Sequence, residues 1–325
     1  MINYLLRRIA YAVLILVGVN LLTFTLFFAV NSPDNIARLN IGAKRVSQDA
    51  IEKWKAERGY DKPLWFNASA QGMQRFTQTI FHDRSLRLFT LDFGASDSGR
   101  DIRSELAARI PPSLALAGPM LLLTVLAGIG LALLLVFFRA TYLDFWGTVL
   151  CVVLMSISSL FYIIIAQWLF GKTLRLVPLS GYAAGLDLVK FLALPLLVGI
   201  VYQLGSEARL FRAMLLEEAG KDYVRTARSK GLAPWRVVWH HAGRNALLPI
   251  VTMAGLQVSS LLGGSVIVET IFGWPGIGRL AFEAVFRRDV PLVMGVLLLS
   301  SVLVLAVSLA VDLLYTRLDP RIRLR

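Results

Sequence analysis

A chain of 325 residues that is 56% hydrophobic and only 17% charged departs from soluble domains, which run to about 45–50% apolar and about 25% charged residues. That balance points to lipid and away from a single large soluble core. A net charge of +13 would suggest nucleic acid in a soluble protein, but here the placement of the cations matters more; the lone Cys151 supports neither a disulfide framework nor a thiolate metal cluster.

Runs of about 18 or more apolar residues read as membrane helices. The first, Ile9–Val30, follows Arg7 and Arg8. It is longer than the roughly 7–15 residues of a signal core and no small-x-small cleavage site follows it, so it is expected to be a retained anchor. The polar segment Asn31–Pro112 carries Trp54, Trp65, Phe66, Phe76, Phe81, Phe89 and Phe93 among its charges. These aromatics suggest a small packed cap of mixed structure; a loosely ordered loop lying on lipid headgroups is the alternative. Leu114–Phe138 and Phe145–Phe170 are the next two runs. Phe191–Gly205 is shorter and contains Pro195, which removes a helix hydrogen bond that neighbours in a membrane can replace. Ala246–Val268 and Val290–Tyr315 complete the set. The expected fold is all-α and integral to the membrane, with six transmembrane helices, a polar segment after the first, and a charged loop between the fourth and fifth. The corresponding division is 1–30, 31–112 and 113–325, the last holding the charged loop 207–248.

Cations in short loops set orientation. With the N-terminus inside, the inner segments hold 15 Lys and Arg, eight of them between Arg209 and Arg244, against 6 in the two short outer segments. The long segment 31–112 exceeds the roughly 60 residues over which the rule operates. Both termini are therefore expected in the cytoplasm and the long polar segment outside.

The inner loop contains "DYVRTARSKG", Asp222–Gly231. From Phe211 to Lys230 the spacing predicts a helix. Phe211, Leu215, Ala219, Tyr223 and Ala227 share one face, with Glu217, Lys221, Arg225 and Arg228 on the other. Glu217 and Lys221 form an i,i+4 pair. Gly231 ends the run, and a second helix starts near Pro234 and continues through Trp235, Val238 and Trp239 towards Leu247. A charged loop obeying the positive-inside rule beside anionic lipid would also carry such cations. The interspersed acids Glu217, Glu218 and Asp222, the defined stop and the small-residue face around Ala219, Gly220 and Ala227 instead suit a short helix docking into a groove on another protein.

At these residues the chain resembles a known family. "DYVRTARSKGL" followed by "HAGRNALLPIVT" is similar to the cytoplasmic loop of ABC-importer permeases of the dipeptide, oligopeptide and nickel class. "GGSVIVETIFGWPGIGRL", the tail "DLLYTRLDPRIR", the N-terminal "YLLRRI" and "LDFGAS" fit the same family, so the likeness extends over nearly the whole chain. The resemblance implies a bacterial inner-membrane subunit whose loop holds a coupling helix docked on a cytoplasmic ATPase. Asp222, Tyr223, Arg225, Ala227, Arg228, Lys230, Gly231, Arg236 and Asn245 are its candidate residues. Gly231 would be the turn, and Arg225 and Arg228 would face acidic or polar groove residues. It further implies a second homologous permease chain, two ABC ATPase subunits and a periplasmic substrate-binding protein, with the path alternating between inward- and outward-open states. The chain departs from the wider superfamily's Glu-Ala-Ala triplet, carrying Arg225-Thr226-Ala227, a form typical of the peptide class. It also has Leu160 in "SISSLFY" near the family's usual proline, which removes the ordinary cause of a kink there.

Chemistry of its own is not expected. "AQWLFGKT", residues 166–173, ends like a phosphate-binding loop but has Ala166 where the first glycine is required. His240 and His241 are adjacent, so they cannot form the i,i+4 pair of a zinc helix. Ser156, Ser158 and Ser159 have no His or Lys in their run to activate them. ATP and Mg would sit on the partner ATPases; no cofactor, metal or nucleic acid is expected on this chain, and it is not itself an enzyme.

Polar groups at membrane depth are the better functional candidates. Ser156, Ser159, Gln167, Gln257, Ser260 and Glu269 are the path candidates, with Asn20, Thr23 and Ser259 alongside; bonding to their own helix backbone is the competing reading for each hydroxyl. Glu269, near the outer end of its run, is placed where it can reach water. Gly263-Gly264 permit close helix approach, and "GWPGIG", Gly273–Gly278, reads as a tight outer turn anchored at the interface by Trp274. A stand-alone secondary transporter or channel is the alternative function, but it commonly shows inverted repeats, and the two three-helix halves show no self-similarity. The family spans carriers of peptides, nickel chelates, glutathione and related small solutes. The outer segment's 13 cations against 10 acids do not choose among them.

Overall fold

A computed structural model of the chain describes residues 2–42 and 46–318, apart from the side chains of 2, 3, 5, 256, 258–265 and 314–318. The described residues form helices and turns, with one isolated bridge between Ala95 and Asp101 and no strand among them. Among them, four helices are long and apolar enough to cross a membrane, or five if one bent pair counts as a single span. The chain divides into two compact units, Met1–Ile110 with Leu280–Ala306 and Pro111–Arg279 with Val307–Leu324.

In the first unit, helix α1 (Ile2–Phe24) continues as a wider π-helical stretch, Thr25–Val30. Thr23 and Thr25 hydroxyls donate to Val19 and Leu21 carbonyls one turn back, so these hydroxyls are satisfied within their own helix. The polar segment is helical where mixed structure was expected. Helix α2 (Pro33–Ile41) starts with Ser32 capping Asn35 N–H and Pro33 at its first position, and α3 (Gln48–Arg58) starts with Ser47 capping Ala50 N–H. Two short helices follow, α4 (Gln74–Thr77) and α5 (Ile80–Arg84). The segment is packed. Phe24, Phe28, Tyr60, Ile80 and Leu88 share a core with Val290, Met294 and Leu298, and Trp54 and Phe81 pack on it. Phe24 meets Phe28 at 5.0 Å and the edge of Phe81 at 5.0 Å. Asn20, a polar residue at depth, donates to the Ser85 carbonyl at 3.0 Å and so fastens the segment to α1.

A carboxylate pair lies in this unit, with Asp289 buried and Asp97 half-buried. Asp289 accepts from Leu292 N–H at 3.3 Å, at the start of the last helix, and from Asp97 N–H at 3.1 Å. The Tyr60 hydroxyl donates to Asp97 at 3.1 Å. Burial first, and then the Asp289 charge, push the Asp97 carboxyl up to about 6, against the opposing pull of Arg84.

The second unit opens within helix α6 (Ile102–Phe137), which contains Pro111, Pro112 and Pro119. The third apolar run is not the single helix expected from sequence. Helix α7 (Tyr142–Ser156) and helix α8 (Ser159–Ala166), extended by π-helical Gln167–Thr173, meet at a 93° bend. The break needs no proline: Ile157 and Ser158 are extended, with ψ of 135° and 143°. The Leu154 carbonyl freed by the break accepts the Tyr162 hydroxyl at 2.8 Å. The fourth run is longer than expected. Helix α9 (Leu188–Ala219) passes through buried Pro195 and continues beyond Gly205, because its charges have partners. Arg212 reaches Asp144 of α7 at 2.7 and 2.9 Å, and Glu207 accepts from Gln257. The charged loop read from 207 therefore begins as helix.

After α9 come α10 (Asp222–Ser229), α11 (Pro234–Arg236) and π-helical Val237–Gly243, which runs into α12 (Arg244–Ile271). Helices α13 (Ile277–Phe286) and α14 (Val290–Leu318) follow. Glu269 does not reach water as expected: it is 1% exposed. Ser113 Oγ donates to its Oε1 at 2.9 Å and accepts Ile277 N–H at 2.7 Å, and Arg279 N–H donates to its Oε2 at 2.9 Å. Trp274 is likewise fully buried and donates through Nε1 to the Pro112 carbonyl at 2.8 Å, so it is an internal peg and not an interfacial anchor. Gly276 is required by this clamp, since a Cβ there would overlap the Glu269 carboxylate.

Two outcomes follow from these clusters. The Asp97 carboxyl in the folded chain titrates near 6, above its ordinary 3.8, so between those values the folded state holds more protons than the unfolded chain and stability falls as pH rises through that window. Asp97→Asn keeps an acceptor for Tyr60 and removes the titration. Thermal melting of the purified protein at about pH 5 and about pH 7 should show the native chain less stable at the higher value and the variant with a reduced difference. Gly276→Ala should cost about 1–3 kcal/mol by overpacking, whereas Gly18→Ala in α1, where a Cβ meets nothing within 4 Å, should be neutral or mildly stabilising in the same melts.

Candidate functional site

The predicted helical face from Phe211 to Lys230 is interrupted. Helix α9 stops at Ala219, Gly220 N–H closes back onto the Leu216 and Glu217 carbonyls at 3.2 Å, and Lys221 is extended with ψ of 154°. The break rotates the apolar stripe. Phe211 and Leu215 are buried in the core of the second unit, but beyond the break Val224 and Ala227 are buried, with Ala219, Leu232, Val237 and Ala242 around them. Tyr223, expected on the apolar face, turns outward, where its hydroxyl donates to Glu218 at 2.6 Å. The break also changes the charge pairing. Lys221 lies outside the helix and pairs with Glu218 at 2.5 Å, not with Glu217 as the spacing predicted.

Helix α10 is thus a short amphipathic rod whose apolar side is held by the helix that follows it. Gly231, at φ of +73°, makes the turn that a side chain would strain. Its N–H closes on the Arg228 carbonyl at 2.9 Å, and Pro234 starts the next helix at its first position. Asp222, Arg225, Thr226, Arg228, Ser229 and Lys230 are all exposed. Asp222 and Arg225 approach to 3.5 Å with side chains 95% and 75% exposed, a pair contributing little in water. Arg228 lines a separate hollow of 550 Å³ with Arg139, Leu216, Leu232 and Pro234. The two arginines therefore have different surroundings, although both are open. Arg236 stacks over Trp235 at 5.6 Å.

The path candidates separate in space. Ser159 and Gln257 line one cavity of 450 Å³, built from α6, α7, α8, α9 and α12. The 93° break brings Met155, Ser159 and Ile163 to its wall. Ser156 instead bonds its own backbone at Val152, 2.6 Å. Gln167 donates to the Leu179 carbonyl at 2.9 Å, tying down the segment after α8. Glu269 belongs to the Ser113 clamp. The side chains of Ser259 and Ser260 and the surroundings of Gly263-Gly264 in α12 are outside what is described, as is the tail from residue 319. Sequence reading missed Glu207. This residue is 7% exposed, lines the cavity and accepts Gln257 Nε2 at 2.5 Å. It was assigned to the loop because the apolar run ends at Gly205. The signal that would have found it is the i,i+4 series Gln203–Glu207 continuing the face of Val198 and Tyr202.

The family model described as "Binding-protein-dependent transport system inner membrane component" matches residues 109–324, and the corresponding N-terminal model matches residues 1–117. A Brucella abortus protein named as a peptide transport system permease is 33% identical over 323 residues, covering 98% of both chains. The dipeptide transport system permease protein DppB of Escherichia coli K12 is 31% identical over 351 residues, covering 99% of both. Among solved structures, the MetNI methionine ABC transporter in an inward-facing conformation matches with a TM-score of 0.53 at 19% identity, covering 66% of this chain and 96% of that one, which shows a shared fold. The chain belongs to the binding-protein-dependent transport system inner membrane component family and is a multi-pass permease subunit of an ABC importer.

Proposed function

We propose that this chain forms half of the path of a peptide importer and that α10 is the handle through which ATPases drive it. The observation that carries the peptide reading is the match along 98–99% of the chain to relatives named for peptide and dipeptide transport. In this reading six helices span the inner membrane, both termini and α10 face the cytoplasm, and residues 31–112 face the periplasm. A second homologous permease completes the path, two ABC ATPases sit below, and a periplasmic binding protein delivers the solute. ATP and Mg are held by the ATPases, and this chain holds no cofactor.

The coupling assignment is supported by the construction of α10. Its apolar side is satisfied within the chain at Val224 and Ala227, which leaves a rigid polar side free for a partner. The Tyr223 hydroxyl and Lys221 both bond Glu218 and brace its N-terminal end against α9. ATP-driven closure would move α10 as a body, and it can bias the path only through unequal affinity for the two states.

Arg225→Glu with Arg228→Glu should lower co-purification of the ATPases and peptide uptake into vesicles by more than about tenfold, since reversed charges at an interface cost several kcal/mol. The helices should remain inserted. Normal co-purification and uptake by the double variant would remove the docking role. The substrate class is checked by ATP-dependent uptake of labelled dialanine into vesicles holding the complete transporter.

A further inference from the structure

Resting on the peptide-permease reading, we propose that the 450 Å³ cavity of the second unit is a receptor for the primary ammonium group of the transported solute, with Glu207 as its counter-ion. The cavity's walls combine apolar Met120, Met155 and Val198 with Ser159, Gln203 and Gln257. One carboxylate enters it, and among the described residues no Lys or Arg lines it. Arg209, two positions along α9, is exposed and donates to the Met155 sulfur.

Glu207 is 7% exposed, its Oε1 accepts Gln257 Nε2 at 2.5 Å, and its Oε2 has no hydrogen-bond partner among the described residues. A carboxylate taken from water without a cation is costly, and ionisable groups at membrane depth are rare outside functional sites. Neither the Ser113–Glu269 clamp nor the α10 brace uses this one. One oxygen is oriented by an amide; the other is buried without a hydrogen-bond partner among the described residues, on a side chain that lines a space of solute size. A planar guanidinium needs both carboxylate oxygens for its two-pronged contact, and Oε1 is already engaged. A compact ammonium needs one, and its remaining two donors can meet hydroxyl or amide oxygens. The free N-terminus of a peptide supplies such a group, and so does a lysine side chain.

The test uses the complete transporter in detergent and saturation-transfer NMR with four probes: dialanine, N-acetyl-dialanine, N-acetyl-lysine amide and butylammonium. The wild type should show transfer to dialanine and butylammonium but not to N-acetyl-dialanine. Glu207→Gln should reduce both signals by about tenfold, the loss of one charge-assisted contact, while Glu207→Asp retains them. Transfer to N-acetyl-lysine amide would extend the site to side-chain ammonium groups; its absence would confine the site to the N-terminus. Equal transfer in wild type and Glu207→Gln, or transfer to N-acetyl-dialanine equal to that of dialanine in the wild type, overturns the proposal, and the second comparison needs no variant. Failure of ATP-driven dialanine uptake with butylammonium still bound through Glu207 would instead overturn the peptide reading and leave the ammonium site standing.

Discussion

Polar groups drawn into the apolar body of this chain gain by finding partners inside the chain, because hydrocarbon offers none. The hydroxyls of Thr23, Ser156, Thr252 and Ser301 do so by bonding carbonyls one turn back. Glu269 does so with Ser113 Oγ and Arg279 N–H, and Ser113 in turn takes Ile277 N–H. The Trp274 indole closes on the Pro112 carbonyl at the same place. Together these bonds join the proline-bearing start of the second unit to the end of α12. The same rule governs broken helices, where a carbonyl without its helical donor must be given another.

The bend between α7 and α8 is the clearest instance. Two extended residues, Ile157 and Ser158, turn the chain by 93°, and the Tyr162 hydroxyl compensates at Leu154. The geometry separates neighbouring serines by function: Ser156 stays with its own helix while Ser159 lies on a cavity wall. Without the break the run would be one straight span and the wall formed by Met155, Ser159 and Ile163 would not exist.

Helix α9 links the two regions of interest. It carries Val198, Gln203 and Glu207 along the cavity and ends at Ala219, against the base of α10. From Glu207 to Ala219 is roughly 18 Å at the helical rise. Arg212 is bound to Asp144 between them, so α9 and α7 are joined by a charge-assisted contact partway along. The rod that lines the cavity therefore ends where α10 packs. The break at Gly220 makes α10 a separate helix, because a continuous helix would have kept Tyr223 on the apolar stripe and would have had no independent outer face.

Composition and hydropathy alone established a membrane-embedded, all-helical chain, and they located the aromatic-rich segment, the turn at Gly231 and the new helix at Pro234. These features are local, set by runs of apolar residues, by the backbone freedom of glycine and by the fixed φ of proline. Tertiary structure decided which polar residues serve packing and which face space. Glu269 and Glu207 look alike as acids at the ends of apolar runs, yet one is consumed by Ser113 and the Arg279 amide and the other lines a cavity. It also decided where helices stop: α9 runs past its apolar stretch, where Asp144 pairs with Arg212 and Gln257 donates to one Glu207 oxygen, and α7 ends without a proline because Tyr162 supplies the missing donor. Such outcomes depend on partners 8 to 156 residues away in sequence, and a one-dimensional pattern carries no record of which groups folding will bring within hydrogen-bond reach.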